Sequence, residues 1–227
     1  MEYNDFIKFT NATTHDANMK MAEFAIKNND FEGAINFYSK AIELQQDSVV
    51  ANIQKLFLLL KLNKYQEAIL IAENLIRIEP HESNHLKTLA VCYSNINEFE
   101  KAIIYYNKAI EQNPSDYNLF HFRGEAYFKF KKYYEAFFDF TKALEIKSDL
   151  VGVYIYRGRT RGQLKDYYGA IKDFTIVLNS FPDDSKVLYL AGVTYLNVND
   201  VENGEKLLSK AAKLGNIQAI EVLNSKH

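Results

Sequence analysis

A period of 34 residues runs through this chain six times with no residue inserted or deleted. Blocks that start at His15, Val49, Ser83, Tyr117, Val151 and Ser185 align column on column. The eighth column is small in five of them (Ala22, Ala90, Gly124, Gly158 and Gly192), with Leu56 as the exception. The twentieth column reads Ala34, Ala68, Ala102, Ala136, Ala170 and Gly204. An aromatic fills the seventeenth in five blocks: Phe31, Tyr65, Phe99, Tyr133 and Tyr167. The three prolines, Pro80, Pro114 and Pro182, all stand in column 32. A fixed period of this length means supersecondary units stacked in series, because no single unit can bury its own apolar face. A stack of this kind is a surface for holding a partner.

Each block reads as two helices and a tight turn. In the third, Leu86, Leu89, Ala90 and Tyr93 recur at helical spacing and mark a first helix. Asn95 to Asn97 break the pattern. A second helix follows, with Phe99, Ala102, Ile103, Tyr106, Ala109 and Ile110 along one face, and Pro114 marks its stop. The small columns have a mechanical reason. Two antiparallel helices approach closely only where a side chain at the crossing is nearly absent, and aromatics in columns 17 and 24 fill the space around it.

The totals narrow the function classes. Hydrophobic residues make up 48% and charged residues 25%, as in a folded soluble chain. The net charge of −2 and a pI near 6.2 give no general attraction to nucleic acid or to an anionic membrane. No run approaches the roughly 20 apolar residues that span a bilayer, so no membrane insertion is expected. The N-terminal residues Met1 to Thr14 lack the pattern of a secretory signal. With one cysteine, Cys92, these features place the protein in a reducing, cytoplasmic compartment. Asn11-Ala12-Thr13 matches a glycosylation acceptor, and without an export signal the match is accidental.

The chain resembles the tetratricopeptide repeat family. The residues that carry the resemblance are Leu89, Ala90, Tyr93, Ala102, Tyr106, Ala109 and Pro114 with their counterparts in the other blocks, over residues 15 to 218. The resemblance implies an all-α fold, an α-solenoid coiled into a right-handed superhelix of six helix-turn-helix repeats. These are 15–48, 49–82, 83–116, 117–150, 151–184 and 185–218, preceded by a segment 1–14 and closed by a capping helix at 219–227. Residues 3–10, with Tyr3, Phe6 and Ile7 at helical spacing, are expected to form a short helix in that first segment. Departures gather at the ends, with Asn18, Ala25 and Gln46 in block one and Val201, Gly204 and Asn216 in block six, as expected of terminal repeats that face water. The stretch 211–216 is also similar to Sel1-type repeats.

The family's concave face receives a peptide or helix of another protein, mainly through columns 2, 5, 9, 12 and 13 of each first helix. Carried onto this chain, those columns name the partner-binding residues Phe57, Lys87, His121, Glu125, Lys129, Arg159, Gln163, Lys186 and Tyr189. Block two is apolar there (Val50, Ile53, Phe57 and Leu60) and needs a cover, unless its neighbours simply bury it deeper. The cover is the N-terminal segment, a second copy in a homodimer, or a foreign helix. From His121 to Lys172 there are 11 Lys or Arg against 6 Asp or Glu, which suits an acidic peptide or a free C-terminal carboxylate. The clamp that some family members use for chaperone tails is absent, since Val91, Phe122, Gly152 and Tyr156 occupy four of its five slots.

Signals for chemistry are weak. His81, Glu82 and His85 match the zinc-protease pattern HExxH and so leave a remote reading as a metal-dependent hydrolase. His81 follows Pro80 in a turn, however, and the pattern supplies no third ligand. Cys92 lies among packing positions with no histidine partner. The chain is therefore read as no enzyme, with no cofactor and no metal site. Arginine occupies column 7 only as Arg123 and Arg157, and aspartate occupies column 23 only as Asp139 and Asp173. The two columns face each other, which predicts a salt bridge within each of those repeats. Block five is also rich in glycine: Gly152, Gly158 and Gly162 make its first helix either a place of close approach or a weak joint.

Overall fold

The computed structural model describes residues 13–225. Among the described residues there are thirteen helices and no strand, an all-α solenoid of helix pairs. The chain divides into two compact units, Met1–Asn113 and Pro114–His227. The first holds α1 (His15–Lys27), α2 (Phe31–Leu44), α3 (Val49–Lys61), α4 (Tyr65–Ile78), α5 (Ser83–Asn95) and α6 (Phe99–Gln112). The second holds α7 (Tyr117–Lys129), α8 (Tyr133–Ile146), α9 (Val151–Gln163), α10 (Tyr167–Ser180), α11 (Ser185–Asn197), α12 (Val201–Lys213) and α13 (Ile217–Asn224). The helix expected at residues 3–10 lies outside the described residues.

One turn joins the two helices of every repeat. Column 15 (Asn29, Asn63, Asn97, Lys131, Lys165 and Asn199) adopts φ between 57° and 63°, the left-handed region. This residue lets the next N–H reach back to a carbonyl of the last helical turn: Asp30 to Ala25 (2.9 Å), Lys64 to Leu59 (2.8 Å), Glu98 to Tyr93 (2.9 Å) and Lys132 to Tyr127 (2.9 Å). Asp166 to Arg161 (2.9 Å) and Asp200 to Tyr195 (3.0 Å) complete the set. That is the Schellman ending, which satisfies otherwise orphaned carbonyls. The residue that donates the bond is also the N-cap of the following helix. Asp30, Asp166 and Asp200 use their carboxylates to accept from Gly33, Gly169 and Asn203 N–H groups.

Packing within a repeat sets a missing side chain against a large one. A Cβ added at Gly124 would stand 2.8 Å from the Phe140 ring, and one at Gly158 would stand 2.7 Å from the Phe174 ring. Both rings are buried. A Cβ at Gly192 would meet Leu208 at 2.8 Å. Column 8 therefore faces column 24. The exception in repeat two follows the same rule in reverse, since Leu56 in column 8 is matched by Ala72 in column 24, and both are buried. By contrast, nothing lies within 4 Å of a Cβ added at Gly152 or Gly162. The N-cap of α9, Leu150, offers no side-chain hydrogen bond.

Asn18 and Ala25 do not face water: both are buried, and Asn18 Nδ2 donates to the Thr14 carbonyl at 2.9 Å. Asn52, also buried, donates to the Ser48 carbonyl at 2.9 Å and accepts from Asn74 Nδ2 at 3.0 Å. The last helix starts at Ile217 rather than residue 219, because the Asn216 side chain accepts from the Ala219 N–H and caps it.

Both ion pairs are present in the C-terminal unit. Arg123 donates to Asp139 at 2.7 and 2.6 Å, and Arg157 donates to Asp173 at 3.0 and 2.7 Å. Each aspartate is 1% exposed. Burial pushes the Asp139 carboxyl up from its ordinary value, while the hydrogen bonds and charge of Arg123 hold it down. Asp173 holds a second arginine, since Arg161 Nη1 donates to it at 3.0 Å and to the Gly169 carbonyl at 2.9 Å. Arg161 also lies 5.2 Å over the Phe137 ring.

Two measurements follow from this packing. Gly158→Ala is expected to lower stability by about 1–3 kcal/mol through overpacking, whereas Gly152→Ala raises it by up to about 1 kcal/mol through helix propensity. Urea unfolding that moves both variants in the same direction would remove the clearance argument. For the ion pair, Arg123→Leu and Asp139→Leu should each cost about 3–5 kcal/mol, because each leaves a buried charge alone. The double variant should fall within about 2 kcal/mol of the parent. Additive single effects in the same unfolding assay would show no coupling. Asp173→Leu, which leaves Arg157 without a carboxylate and Arg161 with Asp166 alone, should be worse than Asp139→Leu.

Candidate functional site

In the N-terminal unit, Val50, Ile53 and Phe57 share one face of α3 and are 60%, 42% and 60% exposed. The neighbouring repeats therefore do not bury repeat two more deeply, and the described residues leave an apolar stripe open. Leu60 is half-buried, and Lys61 Nζ lies 3.7 Å over the Phe31 ring. Lys87, on α5, is half-buried.

The C-terminal unit builds a more elaborate face from α7, α9 and α11. His121 and Glu125 stand one turn apart on α7, with Nε2 2.9 Å from Oε1. His121 Nδ1 is buried with no hydrogen-bond partner, so the ring's polar contact is the one Nε2 makes with Glu125. The Tyr156 hydroxyl, from α9, donates to the same carboxylate. Burial pushes the Tyr156 phenol up from its ordinary value; Glu125 adds to this and Arg159 opposes it. The Tyr156 ring stacks on Phe140 at 5.6 Å and meets His121 edge-on at 5.8 Å. His121 and Glu125 are thus not open groove groups. They hold Tyr156 in place from below.

Arg159 rests on that platform. Its guanidinium lies 4.9 Å from the Phe128 ring centroid and 5.5 Å from that of Tyr156, cation–π contacts that restrict a long side chain. The chain has five arginines. Four have carboxylate partners: Arg77 with Asp47, Arg123 with Asp139, Arg157 with Asp173, and Arg161 with Asp173 and Asp166. Among the described residues Arg159 alone has none, and it is exposed.

Two cavities open onto it. One, of about 340 Å³, is lined by Phe128, Gly158, Arg159, Gly162, Gln163, Tyr167, Tyr189 and Asn197, among others. The other, of about 670 Å³, is lined by Arg159, Lys186, Tyr189, Asn216 and Ile217, among others. Arg159 and Tyr189 belong to both. The open space over Gly162 lies at the first cavity. Of the residues expected from sequence, Arg159, Gln163, Lys186 and Tyr189 come together here. Lys129 is exposed but lines neither cavity. Phe57 and Lys87 belong to the other unit. The columns carried over from the family do not name Tyr156, Tyr167, Asn216 and Ile217: Tyr156 stands in a slot of the absent clamp, Tyr167 in the aromatic packing column, and Asn216 and Ile217 at the start of the last helix.

A guanidinium in contact with two rings, with a lysine and amide groups around two recesses, is equipped to receive a carboxylate through paired hydrogen bonds. The remaining chemical signals have structural roles. Glu82 caps α5 by accepting from the Asn84 N–H, and buried His85 sits 2.8 Å from Glu79 Oε2. Burial pushes the Cys92 thiol up to about 11, which keeps it protonated and unreactive at neutral pH. Among the described residues no group of three or more His, Cys, Asp or Glu is placed to hold a metal ion. No helix among them is long and apolar enough to cross a membrane.

A family profile described as Psidin, N-terminal TPR repeats region, matches residues 24–137. No curated protein sequence matches the chain. Among solved structures, a tetratricopeptide repeat protein from Parabacteroides merdae is similar at 17% identity, covering 88% of this chain and 79% of that one, with a TM-score of 0.75. YrrB, described as a TPR protein with an unusual peptide-binding site, is similar at 19% identity over 84% and 98% of the two chains, with a TM-score of 0.70. The pilF protein of Pseudomonas aeruginosa is similar at 14% identity over 94% and 97%, with a TM-score of 0.73. At these identities the likeness is one of fold, and it agrees with the repeat pattern, the left-handed turn residues and the helix pairs. The chain belongs to the tetratricopeptide repeat family, whose fold is in general a scaffold for protein interaction.

Proposed function

We propose that the protein is a non-catalytic adaptor that holds a peptide or helix of a partner on the faces presented by its first helices. The observation that carries this reading is Arg159: in cation–π contact with two rings, exposed, without a carboxylate of its own and shared by two cavities. Its chemistry fits an acidic side chain or a free C-terminal carboxylate, with Lys186 beside it. The peptide-binding site that YrrB carries on a similar fold supports the same use here. The single cysteine fits a cytoplasmic setting.

A second reading rests on the exposed stripe of Val50, Ile53 and Phe57, which suits self-assembly through repeat two. The two readings separate by experiment. An array of acidic 15-residue peptides, each with a free or an amidated C-terminus, should retain the protein, and Arg159→Glu should weaken the best binders by about tenfold or more. Unchanged retention by Arg159→Glu would remove the proposal. Light scattering reports the second reading. A mass near twice the 26.3 kDa of the chain, returned to one chain by Phe57→Asp, would establish it.

A further inference from the structure

The second helices of repeats four and five carry an exposed patch that the first-helix faces do not explain. Tyr134, Phe138 and Tyr168 are 77%, 67% and 69% exposed. Tyr134 and Phe138 are one turn apart on α8, and Tyr168 holds on α10 the column that Tyr134 holds on α8. The fold does not require rings in that column. The same position is Glu32, Gln66 and Glu100 in the first three repeats.

Lysines border the rings. Lys131 and Lys165 occupy the left-handed turn position, φ 61° and 62°, where the other four repeats place asparagine. Asparagine visits this region far more readily than lysine, so the positive charge is held there against local preference. Lys132 lies 5.0 Å over the Phe130 ring, and Lys172 follows Tyr168 by one turn. Among the described residues none of these four lysines has a carboxylate within 4.0 Å, whereas Lys142 and Lys147, toward the C-terminal end of α8, are each paired. Two acids border the patch, Glu135 and Asp166, and Asp166 lies 3.4 Å from Arg161.

The geometry points to an anionic lipid surface as the occupant of this patch, with the lysines at the headgroups and the three rings at the interface. Rings that stand this far out seat in a deformable layer, where tyrosine is favoured because one end is apolar and the other wet. A folded protein partner would need a matching recess for each ring. The notch between Tyr134 and Phe138, about 320 Å³, ends on Arg123 and Asp139, which already satisfy each other. It therefore gives an acidic side chain no subsite, and the attraction rests on the unpaired lysines, as it does for a charged membrane. The chain's net charge of −2 hides this local excess.

The full chain contains no tryptophan, so Tyr134→Trp provides a single emission probe at the patch. With phosphatidylcholine vesicles containing about 30% phosphatidylserine, the probe should shift to the blue and the protein should cosediment. Both effects should vanish with pure phosphatidylcholine and weaken by about tenfold or more between about 0.1 M and 0.5 M salt. Lys131→Glu combined with Lys165→Glu should abolish binding, and Phe138→Ser with Tyr168→Ser should weaken it while the helical circular dichroism stays unchanged. Absence of a blue shift with the anionic vesicles would overturn the inference, as would equal binding after charge reversal. A shift with soluble polyglutamate but not with vesicles would assign the patch to an acidic polypeptide and would also overturn it.

Discussion

A small residue set against a large one at each helix crossing holds the two helices of a repeat together. Where column 8 is glycine, the ring or leucine of column 24 comes so near that no Cβ could stand between them. The helices of a pair then pack at close range, and the left-handed residue of column 15 becomes the turn that closes them. Repeat two shows that the sum of the two columns is the constraint, since Leu56 and Ala72 exchange the large and small roles and remain buried. An array built from one such rule tolerates almost any side chain at its outward columns. Interaction surfaces are therefore free to differ from repeat to repeat.

The fold was legible in the sequence because its determinants recur. A small residue, a ring or a proline seen at one column says little, but seen three to six times at the same interval it fixes helix, turn and crossing. The same recurrence made the ion pairs readable, since arginine in column 7 and aspartate in column 23 occur together in two repeats. Features that do not recur from repeat to repeat were less accessible. The second arginine on Asp173 occurs in repeat five alone, while the Tyr156 hydroxyl on Glu125 and the contribution of α13 to a cavity each join one repeat to the next or to the last helix. Asn18 misled for a related reason. Its polarity resembled an end facing water, while its amide satisfies the Thr14 carbonyl inside the first repeat.

Buried charge in the C-terminal unit shapes what its surface offers. On an α-helix, residues four apart lie about 40° from one another and residues two apart about 200°. Arg157 and Arg161 therefore share a side of α9, and both reach Asp173. Arg159, between them in sequence, is turned to the opposite side, away from every carboxylate that the packed face supplies. There it meets Phe128 and Tyr156, and Tyr156 is in turn held by Glu125 and His121. An Arg-X-Arg-X-Arg run looks like one basic cluster when read linearly. Folded, it becomes two groups consumed in holding the repeat and one group positioned outside it, which is why charge counted along the chain predicts this surface poorly and charge placed on the helix predicts it well.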